Sequence, residues 1–394
     1  MADAIALVYG DEYKQAVYDF GSFHPLQPIR VELAFELLRE CGLLGAPNVS
    51  LVGPRPASYA ELTAVHDPDY VDAVNTLGAA GSVVHELADM AKKHGFAQSD
   101  NPVFAGMGDA AALVAGGSVV AAETVMSGRA LHSFALAGGL HHAHRSRAAG
   151  FCIYNDPAVA IAAMRARYGS RVAYVDVDAH HGDGVQEMFY DDPNVLTISI
   201  HESGRYLFPG TGFVKELGEG AGYGYSVNVP LEPYTSDEPF LRAVDEIAVP
   251  LVRAFKPDLL VTQCGCDTHW LDPLTHMATS THIWPYLART FHALAHDVCG
   301  GRWVATGGGG YDLYSVVPRA WTLLFAGMVG AELPSDLPRS FIELRRRYST
   351  QPMAETFLDA EKPPVPHEQL EHTMAATERT IREVGHTVFP LHGL

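Results

Sequence analysis

Aspartate and histidine alternate with apolar residues in the run YVDVDAHHGDG, residues 174–184. On an extended strand Asp176, Asp178 and His180 would share one face, because side chains alternate between the two faces. Without a cation, the two carboxylates would repel each other, and all three groups would be costly to bury. Asp267, at the end of a separate apolar strand, can add another oxygen. Three protein ligands with an open fourth position are typical of catalytic zinc, although iron(II) is also compatible and a metal-free network of turn bonds is the alternative.

Two adjacent histidines, His141 and His142, follow a Gly-Gly turn. Taken alone, such a pair is more typical of surface or core histidines. Beside a metal site the pair can instead take up and return protons. Asp176 and Asp183 can accept the imidazole N–H groups, and this would set the tautomer and basicity of each ring.

The run TGGGGYD, residues 306–312, ends a further apolar strand. Four glycines permit unusual backbone angles and close approach, and Tyr311 is the first side chain beyond the strand. Its hydroxyl can donate to an oxyanion. The glycines lack GxGxxG spacing and the Lys-Ser/Thr of a P-loop, which argues against phosphate binding. A metal, a water, a histidine pair and a tyrosine together predict metal-assisted hydrolysis of a carbonyl compound.

Seven apolar runs predict the buried strands that position these groups: IALVYG, ALHSFALAG, RVAYVDVDA, VLTISIH, YSVNVPL, DLLVTQCG and RWVATGGGG. Between them, 3.6-residue spacing predicts helices at 109–127, 156–168, 236–255, 281–298 and 313–329. This rhythm predicts an α/β fold with a parallel sheet covered on both faces. The polar clusters follow strands, where open parallel sheets gather functional groups. Residues 25–100 are predicted to be mostly helical, as a lobe beside the sheet, and the chain from about residue 361 to be a helix packed on the body.

The composition bounds the class of protein. The chain has 394 residues and a formal net charge of −19, which disfavours nucleic acid and anionic membranes as partners. No linker or repeat divides it, so one domain over residues 1–394 is predicted, with the catalytic motifs at 138–312. The longest apolar run, residues 110–122, is too short to span a bilayer. Five scattered cysteines and no visible secretory signal fit a cytoplasmic location with reduced thiols, and Cys264 and Cys266 are predicted to be small buried residues.

Six motifs resemble, in order, those of the class I histone deacetylase family: GGLHHAHRSRAAGFCIYND, VDVDAHHGDGVQEMFY, FPGTG, YSVNVPL, QCGCD and GGGGYD. The resemblance spans most of residues 5–330, and HPLQPIR and DPLTHM make the chain most similar to the bacterial acetoin-utilisation deacetylase-like branch. It implies the single-domain, three-layer arginase/deacetylase fold, with an eight-stranded, mostly parallel sheet and helices on both faces. It also implies zinc-dependent removal of acetyl groups from amines.

The resemblance further implies a role for individual residues. The implied zinc ligands are Asp178, His180 and Asp267. The implied catalytic residues are His142 as general base and acid, His141 as its electrostatic partner, Tyr311 as the group that polarises the carbonyl, and Asp176 and Asp183 as carboxylates behind the histidines. The implied substrate contacts are Asp100, Gly150, Phe151, Phe208 and Leu274, with the two phenylalanines as walls of a channel for an acyl-lysine stem rather than core aromatics. Implied sites for K⁺ or Na⁺ use Asp176, Asp178, His180, Ser199 and Ile200, and Phe189, Asp192, Val195 and Tyr225.

One departure from the family concerns the pocket. His269, Trp270 and Leu271 follow the third implied ligand where eukaryotic members have small residues, so the mouth or floor of the pocket is expected to differ. The leading hypothesis is deacetylation of acetyl-lysine in a protein, and deacetylation of acetylpolyamines, which the acidic charge would tolerate, is the alternative. An arginase-like two-metal hydrolase needs a D-x-H-x-D pattern, and position 182 is Gly. A non-catalytic protein that binds acetyl groups is a further alternative, but such proteins usually lose a ligand, a histidine or the tyrosine. Oligomeric state is left open.

Overall fold

Eight parallel strands form the centre of the fold. The computed structural model describes residues 3–96 and 100–394. Within these residues the strands are Ile5–Val8 (β1), Val49–Val52 (β2), His132–Ala135 (β3), Val172–Asp176 (β4), Val195–Glu202 (β5), Ser226–Leu231 (β6), Leu259–Gln263 (β7) and Trp303–Thr306 (β8). Their order is β2-β1-β3-β8-β7-β4-β5-β6, and every pair is parallel. All seven strands predicted from apolar runs are confirmed, as is the eight-stranded sheet.

The eighth strand, β2, is not predicted by the apolar pattern. It lies at an edge of the sheet, where it pairs with β1 alone among the described strands. Leu51 in this strand is 53% exposed. An edge strand of four residues with solvent on one side needs no continuous apolar run, so its sequence does not stand out.

Fourteen α-helices surround the sheet in the part of the chain that the structure describes. They are Glu12–Gln15 (α1), Ile29–Glu40 (α2), Tyr59–Leu62 (α3), Pro68–Ala80 (α4), Ala88–Lys93 (α5), Met107–Met126 (α6), Asp156–Tyr168 (α7), Asp183–Met188 (α8), Asp237–Ala243 (α9), Val249–Phe255 (α10), Ile283–Cys299 (α11), Val316–Val329 (α12), Arg339–Arg345 (α13) and His367–Val388 (α14). Four of the five helices predicted between strands are confirmed to within a few residues. The fifth, over 236–255, is divided into α9 and α10 by a π-helical turn at Val244–Ala248, just before Pro250 removes a backbone donor.

The helices form a layer on each face of the sheet. Helices α2, α11 and α12, with α9 and α10, share one apolar core, and α4, α6 and α7 share another. Along β4, Ala173 and Val175 face the first core while Val172 and Tyr174 face the second, as strand alternation requires. The result is a three-layer α/β domain.

The predicted N-terminal lobe does not form. Helix α2 packs on α12 in one layer, whereas α4 packs on α6 in the other. Leu33 and Leu37 accordingly lie in the first core, and Val71 and Val74 in the second. Each of these helices has an apolar stripe that buries against the nearest helix covering the sheet, so the segment is divided between the two faces.

Helix α6 is the central helix of the second core. By length and composition alone it could cross a membrane, but 78% of its most apolar window is buried inside the protein. It packs against α7 and β3. An almost completely apolar helix is expected in such a buried position.

All five cysteines are free thiols. Cys264 and Cys266 are fully buried, which confirms their predicted place in the core. Burial raises the pKa of the Cys264 thiol to about 12. A thiol in this environment stays protonated and is a poor metal ligand.

Helix α14 covers the outer edge of the sheet. It packs along β6 and α9, and the Thr380 hydroxyl donates to the carbonyl of Pro230 over 3.3 Å. Covering an edge strand blocks pairing with another chain. The helix begins at His367 rather than near residue 361, because the prolines at 363, 364 and 366 keep the preceding segment out of helical conformation.

A buried carboxylate, Asp359, fastens the segment before α14 to the body. Arg319 Nη1 donates to one oxygen over 2.8 Å, and His269 Nε2 and the Thr281 amide contact the other at 2.7 and 2.8 Å. Burial by itself would raise the pKa of Asp359, but His269 and Arg319 hold it below its usual value. The carboxylate therefore supplies the charge that balances a fully buried guanidinium.

We expect Asp359→Asn to lower the free energy of unfolding by ~3 to 5 kcal/mol, because it leaves the buried charge of Arg319 without a counter-charge. Urea denaturation of the purified protein measures this loss. The matched control is Asp297→Asn, which breaks an exposed pair with Arg253 of 2.8 Å, with 52% and 56% exposed side chains. The control is expected to cost less than ~1 kcal/mol, and equal losses in the two variants would contradict the assigned role of Asp359.

Candidate active site

Four polar clusters meet at one edge of the sheet. They follow β3, β4, β7 and β8. These strands are neighbours at the centre of the sheet, in the order β3-β8-β7-β4. Because the carboxyl ends of parallel strands lie at the same edge, side chains that are distant in sequence come together there.

Three potential metal ligands converge at the centre of this edge. Ligand atoms of Asp178, His180 and Asp267 all lie within 4.8 Å of one another. His180 Nδ1 is 3.2 Å from Asp178 Oδ1 and 2.9 Å from Asp267 Oδ2. The second oxygen of each carboxylate is occupied by neutral donors: Asp178 Oδ2 accepts from Gln263 and from the Gly309 amide, and Asp267 Oδ1 accepts from the Ala179 amide. Each carboxylate thus directs one oxygen toward the imidazole, as a metal site requires.

The three groups are almost completely buried and strongly coupled. Burial would lower the pKa of His180, but the charges of Asp267 and Asp178 raise it well above its ordinary value. Burial would raise the pKa of Asp178, but His141 and His180 hold it well below its usual range. Burial and the charge of Asp178 raise the pKa of Asp267. A divalent cation would meet the same need for positive charge, so the residues fit a metal.

Strand alternation explains this arrangement only in part. Strand β4 ends at Asp176, so Asp178 and His180 lie in the turn that follows. The turn is held by carboxylates: the Asp178 amide donates to Asp176 over 3.1 Å, and the His180 amide donates to Asp178 over 2.9 Å. Asp176 itself faces His141 rather than the ligand cluster. Hydrogen bonds from the backbone to a carboxylate two residues earlier, rather than the pleat, therefore aim these side chains.

The glycine run after β8 passes directly beside the ligands. A Cβ on Gly309 would lie 2.1 Å from Asp267 Oδ2 and 2.8 Å from Asp178 Oδ2. Gly308 and Gly310 have φ of +152° and +142°, which side chains disfavour. The buried Arg30 holds the loop, since its Nη1 donates to the carbonyls of Gly308 and Gly310 over 2.7 and 3.2 Å. The predicted close approach and unusual backbone angles are confirmed.

His141 and His142 each have a carboxylate behind them, as predicted. His141 Nδ1 lies 2.7 Å from Asp176 Oδ2, and His142 Nδ1 lies 2.7 Å from Asp183 Oδ1. The two Nε2 atoms are 3.1 Å apart. Each ring is therefore fixed in orientation, with its Nε2 atom directed away from its carboxylate.

The two histidines have opposite pKa shifts. Burial would lower the pKa of His141, but the charges of Asp176 and Asp178 raise it to about 9. Burial and the charge of His141 lower the pKa of His142 to about 4. At neutral pH one ring is therefore cationic and the other is neutral, which separates an electrostatic role from a proton-accepting role.

Aromatic rings flank the space above the histidines. The ring of Phe208, which is 44% exposed, lies 5.0 Å from that of His142, and the rings of Phe151 and Tyr311 are 5.7 Å apart. Gly150 lies beside the rings of His142 and Phe208, where an added Cβ would be 2.4 Å from the first and 2.9 Å from the second. His142, Gly150, Phe151 and Tyr311 line a narrow cavity, together with His141 and Asp178.

Tyr311 is positioned through its backbone. Its amide donates to Asp272 over 2.8 Å, and the other oxygen of Asp272 accepts from the Leu274 amide over 2.9 Å. Burial and the charge of Asp267 raise the pKa of Tyr311 well above its ordinary value, so the hydroxyl is protonated. Asp272 thus links Tyr311 to Leu274.

Asp100 is connected to Phe151, which lines this cavity, through His24. Its carbonyl is 3.2 Å from His24 Nε2, and the His24 ring is 4.5 Å from that of Phe151. The three residues before it, 97–99, which include Ser99 of the SDNP segment, lie outside the described part of the chain.

The residues implied in monovalent-cation sites form two groups beside the ligand turn. In the first, Asp176 pairs in register with Ser199 on β5, and Ile200 follows. In the second, the Asp192 amide donates to the carbonyl of Phe189, and the Val195 amide donates to that of Asp192. The Tyr225 carbonyl accepts from Thr197 on the same strand as Val195. In the second group, the carbonyls of Phe189, Asp192 and Tyr225 each accept from a backbone amide.

The His269 side chain does not point into the pocket, contrary to one expectation from the sequence. It is 1% exposed, and its Nε2 lies 2.7 Å from Asp359, in the segment before α14. Leu271 is 39% exposed at the surface. His269, at a position where eukaryotic members have a small residue, therefore connects the segment before α14 to the body through the buried carboxylate of Asp359.

Comparison with known proteins shows the family of the chain. A model described as histone deacetylase domain matches residues 24–328. The chain belongs to the histone deacetylase family. The acetoin utilization protein AcuC of Bacillus subtilis (strain 168) is 47% identical over 342 residues, which cover 87% of this chain and 86% of the relative. AcuC of Staphylococcus aureus (strain MSSA476) is 41% identical over 347 residues, covering 88% and 87%.

Solved structures of histone deacetylase homologues have the same fold. The crystal structure of a homologue from Aquifex aeolicus superposes with a TM-score of 0.82 at 32% identity, over 95% of this chain and all of that one. A structure of a homologue in complex with SAHA superposes with a TM-score of 0.81 at 32% identity and similar coverage. The arginase/deacetylase fold is therefore confirmed. Family and relatives together make the chain a hydrolase of the deacetylase class with a metal cofactor.

Three supporting residues of this candidate site are not predicted from the sequence. Gln263 donates to Asp178 over 2.7 Å and to the Gly139 carbonyl over 3.1 Å. Buried Asp156 accepts from the amides of Gly139 and Leu140, which fixes the turn before the histidines. Arg30 holds the glycine run. Gln263, Asp156 and Arg30 lie in the QCGCD, GFCIYND and HPLQPIR motifs, so the motifs contained a signal, but their partners are set by the tertiary fold.

We expect Gly309→Ala to weaken binding of the active-site metal by about 10- to 100-fold, because the new Cβ must displace the carboxylates of Asp267 and Asp178. Titration of the metal-free protein with zinc measures the affinity. The control is Gly45→Ala, at a glycine with no atom within 4 Å of the added Cβ. Unchanged zinc affinity in a folded Gly309→Ala protein would contradict the proposed ligand set.

Proposed function

We propose that the protein is a zinc-dependent deacetylase that hydrolyses the acetyl amide of acetyl-lysine in a protein substrate. The observation that carries the proposal is the proximity of three groups: the ligand cluster of Asp178, His180 and Asp267, the His141–His142 pair, and Tyr311. Asp178, the two histidines and Tyr311 line one narrow cavity. The family gives the deacetylase class. The identity of the metal as zinc, the role of each residue and the acyl-lysine substrate are our proposals.

The donor set supports zinc. Two carboxylates and one imidazole direct Asp178 Oδ1, Asp267 Oδ2 and His180 Nδ1 at one point and leave further positions open, as in catalytic zinc sites. Iron(II) takes the same donor types. Zinc bound here would supply Lewis-acid polarisation of the acyl carbonyl and a lowered pKa for water.

His142 is proposed as the general base and acid. Its Nδ1 is held by Asp183, and its low pKa keeps the ring neutral, so Nε2 can take a proton from water and return it to the leaving amine nitrogen. The adjacent His141, cationic because of Asp176 and Asp178, stabilises negative charge that develops beside it.

Tyr311 is proposed to donate its protonated hydroxyl to the acyl oxygen as that oxygen gains negative charge. The Asp272 hydrogen bond fixes the backbone of Tyr311. A donor held in place before the reaction stabilises the developing charge without reorganising.

The substrate is proposed to enter between Phe151 and Phe208, whose rings would flank the aliphatic stem of an acyl-lysine. Gly150 keeps this passage open to His142. Asp100 and Leu274 are proposed to contact the substrate at the rim. A net charge of −19 favours cationic substrates in general, and on this ground acetylpolyamines are the second candidate.

We also propose that K⁺ or Na⁺ binds at two groups of residues, one of Asp176, Asp178, His180, Ser199 and Ile200 and one of Phe189, Asp192, Val195 and Tyr225. In the first group the cation would lie near Asp176 and Asp178 and offset their negative charge. We place the protein in the cytoplasm, where its five unpaired cysteines would stay reduced.

The decisive experiment is acetate release from an acetyl-lysine peptide by the purified, zinc-loaded protein. We expect His142→Ala to lower kcat/KM by ~100-fold or more, as loss of a general base does.

Tyr311→Phe, which removes only the hydroxyl, is expected to lower kcat by ~100- to 1,000-fold. The control His386→Ala, at an exposed histidine on α14, should retain full activity.

The same assay with acetylated putrescine and spermidine separates the two substrate classes. Higher kcat/KM on the peptide supports protein deacetylation, and higher kcat/KM on the amines would overturn that part of the proposal. Absence of acetate release from every acetylated amine by zinc- or iron-loaded protein would overturn the proposed catalytic function.

A further inference from the structure

A second cluster of metal-ligating side chains lies at the opposite end of the sheet from the active site. It consists of Asp3, His132, His292 and His296, whose ligand atoms all lie within 4.8 Å of one another. Asp3 precedes β1, and His132 is the first residue of β3, so the cluster sits where parallel strands begin. The active site lies where the strands end, so the cluster belongs to a separate region of the protein.

Helix geometry brings two of the histidines together. His292 and His296 are four residues apart on α11, so their side chains lie on the same helix face. Their ring centroids are 4.8 Å apart, and that of His132 lies 4.7 Å from His292 and 5.5 Å from His296. Three imidazoles from two elements thus face one another.

The carboxylate of Asp3 lies among the three rings. Its Oδ2 is 3.0 Å from His296 Nε2 and 3.5 Å from both His132 Nε2 and His292 Nε2. Ligands in a tetrahedral zinc site with bonds near 2.0 to 2.1 Å are separated by roughly 3.4 Å. The observed spacing from the carboxylate to the nitrogens therefore already matches such a site.

His132 is the observation that points to a ligand. It is fully buried, yet neither ring nitrogen makes a side-chain hydrogen bond among the described residues, and Nε2 only approaches Asp3 Oδ2, at 3.5 Å. Nδ1 of His292 likewise has none there. Buried polar groups without partners are rare and costly, and a bound ion is one way to satisfy them.

We propose that Asp3, His132, His292 and His296 form a second metal site, which binds a divalent transition metal of the zinc class. Three imidazoles and a carboxylate are donors for zinc, and four protein ligands are typical of a structural rather than a catalytic site. Bound metal ties together the segment before β1, the start of β3 and helix α11. The side chains of His292 and His296 are 33% and 38% exposed, so the metal has a path from solvent and these rings can rotate to close the site.

The test is zinc stoichiometry of the untagged full chain. The protein is freed of metal with a chelator, loaded with zinc at a buffered free concentration, passed through a desalting column and analysed for zinc by mass spectrometry. We expect two equivalents in the parent protein. His296→Ala, at the most exposed ligand, is expected to retain one equivalent and unchanged deacetylase activity, and Asp178→Asn is expected to retain the equivalent that His296→Ala loses.

Further variants distinguish a site from a general effect of histidine removal. Asp3→Asn keeps the shape but removes the charge, and we expect it to weaken binding of the second zinc by at least ~10-fold. His132→Ala opens a cavity in the core and can fail to fold, so the conclusion depends on His296→Ala and Asp3→Asn. His386→Ala, at an exposed histidine outside the cluster, should bind as much zinc as the parent.

A second readout is stability. Zinc bound between distant segments should raise the thermal unfolding midpoint of Asp178→Asn, in which the active-site ligand is lost, but not that of Asp178→Asn combined with His296→Ala. Equal zinc content in the parent and His296→Ala would overturn the second site. If the parent and Asp178→Asn each bound one equivalent and His296→Ala bound none, the second site would stand and zinc binding at the active site would fail.

Discussion

The structure depends on one constraint, the burial of several carboxylates away from water. Asp176, Asp178, Asp183 and Asp267 are all almost completely buried at the carboxyl edge of the central strands. Taking a carboxylate out of water costs several kcal/mol unless it is paired and hydrogen-bonded. These carboxylates are hydrogen-bonded by His141 and His142, which have opposite pKa shifts, by His180, which lies between the two ligand carboxylates, and by backbone amides. A divalent cation would complete the balance of charge. The charge distribution that makes the site costly to build also makes it able to bind metal and move protons.

The surrounding loops keep this charge cluster dry and fixed. The glycine run after β8 approaches the ligands so closely that a methyl group on Gly309 would overlap a carboxylate oxygen. Arg30 reaches in from α2, in a different part of the sequence, and holds the carbonyls of that run. Gln263 donates to the Asp178 carboxylate, and Asp156 accepts from the backbone amide of Leu140 in the turn before the histidines. Since catalytic groups need positions accurate to a fraction of an ångström, much of the neighbouring backbone serves to aim a few side chains.

Much of the candidate site was predictable because its residues fall in short, dense clusters of acidic, histidine and glycine residues at strand ends. Strands with continuous apolar runs were found, and Asp176 and Asp183 lie beside His141 and His142 at hydrogen-bond distance. Strand β2 was not found from its residues, since a half-exposed edge strand needs no apolar run. The π-helical turn was not predicted either, because a 3.6-residue pattern continues across it. His269 was expected at the pocket and instead binds Asp359, because nothing near it in sequence shows where residue 359 packs.

The sequence by itself determined the chemistry: the residue types of the Asp-His-Asp ligands, the histidine pair, the tyrosine after four glycines, and the alternation of strands and helices that sends each cluster to a strand end. Local patterns can carry this information because side-chain alternation and turn formation depend on near neighbours. Only the tertiary structure decided that β3, β8, β7 and β4 lie side by side, that Asp267 meets His180, and that Asp3 meets three histidines at the other end of the sheet. Strand order and the meeting of distant segments depend on how whole apolar faces pack, which no short stretch of sequence contains.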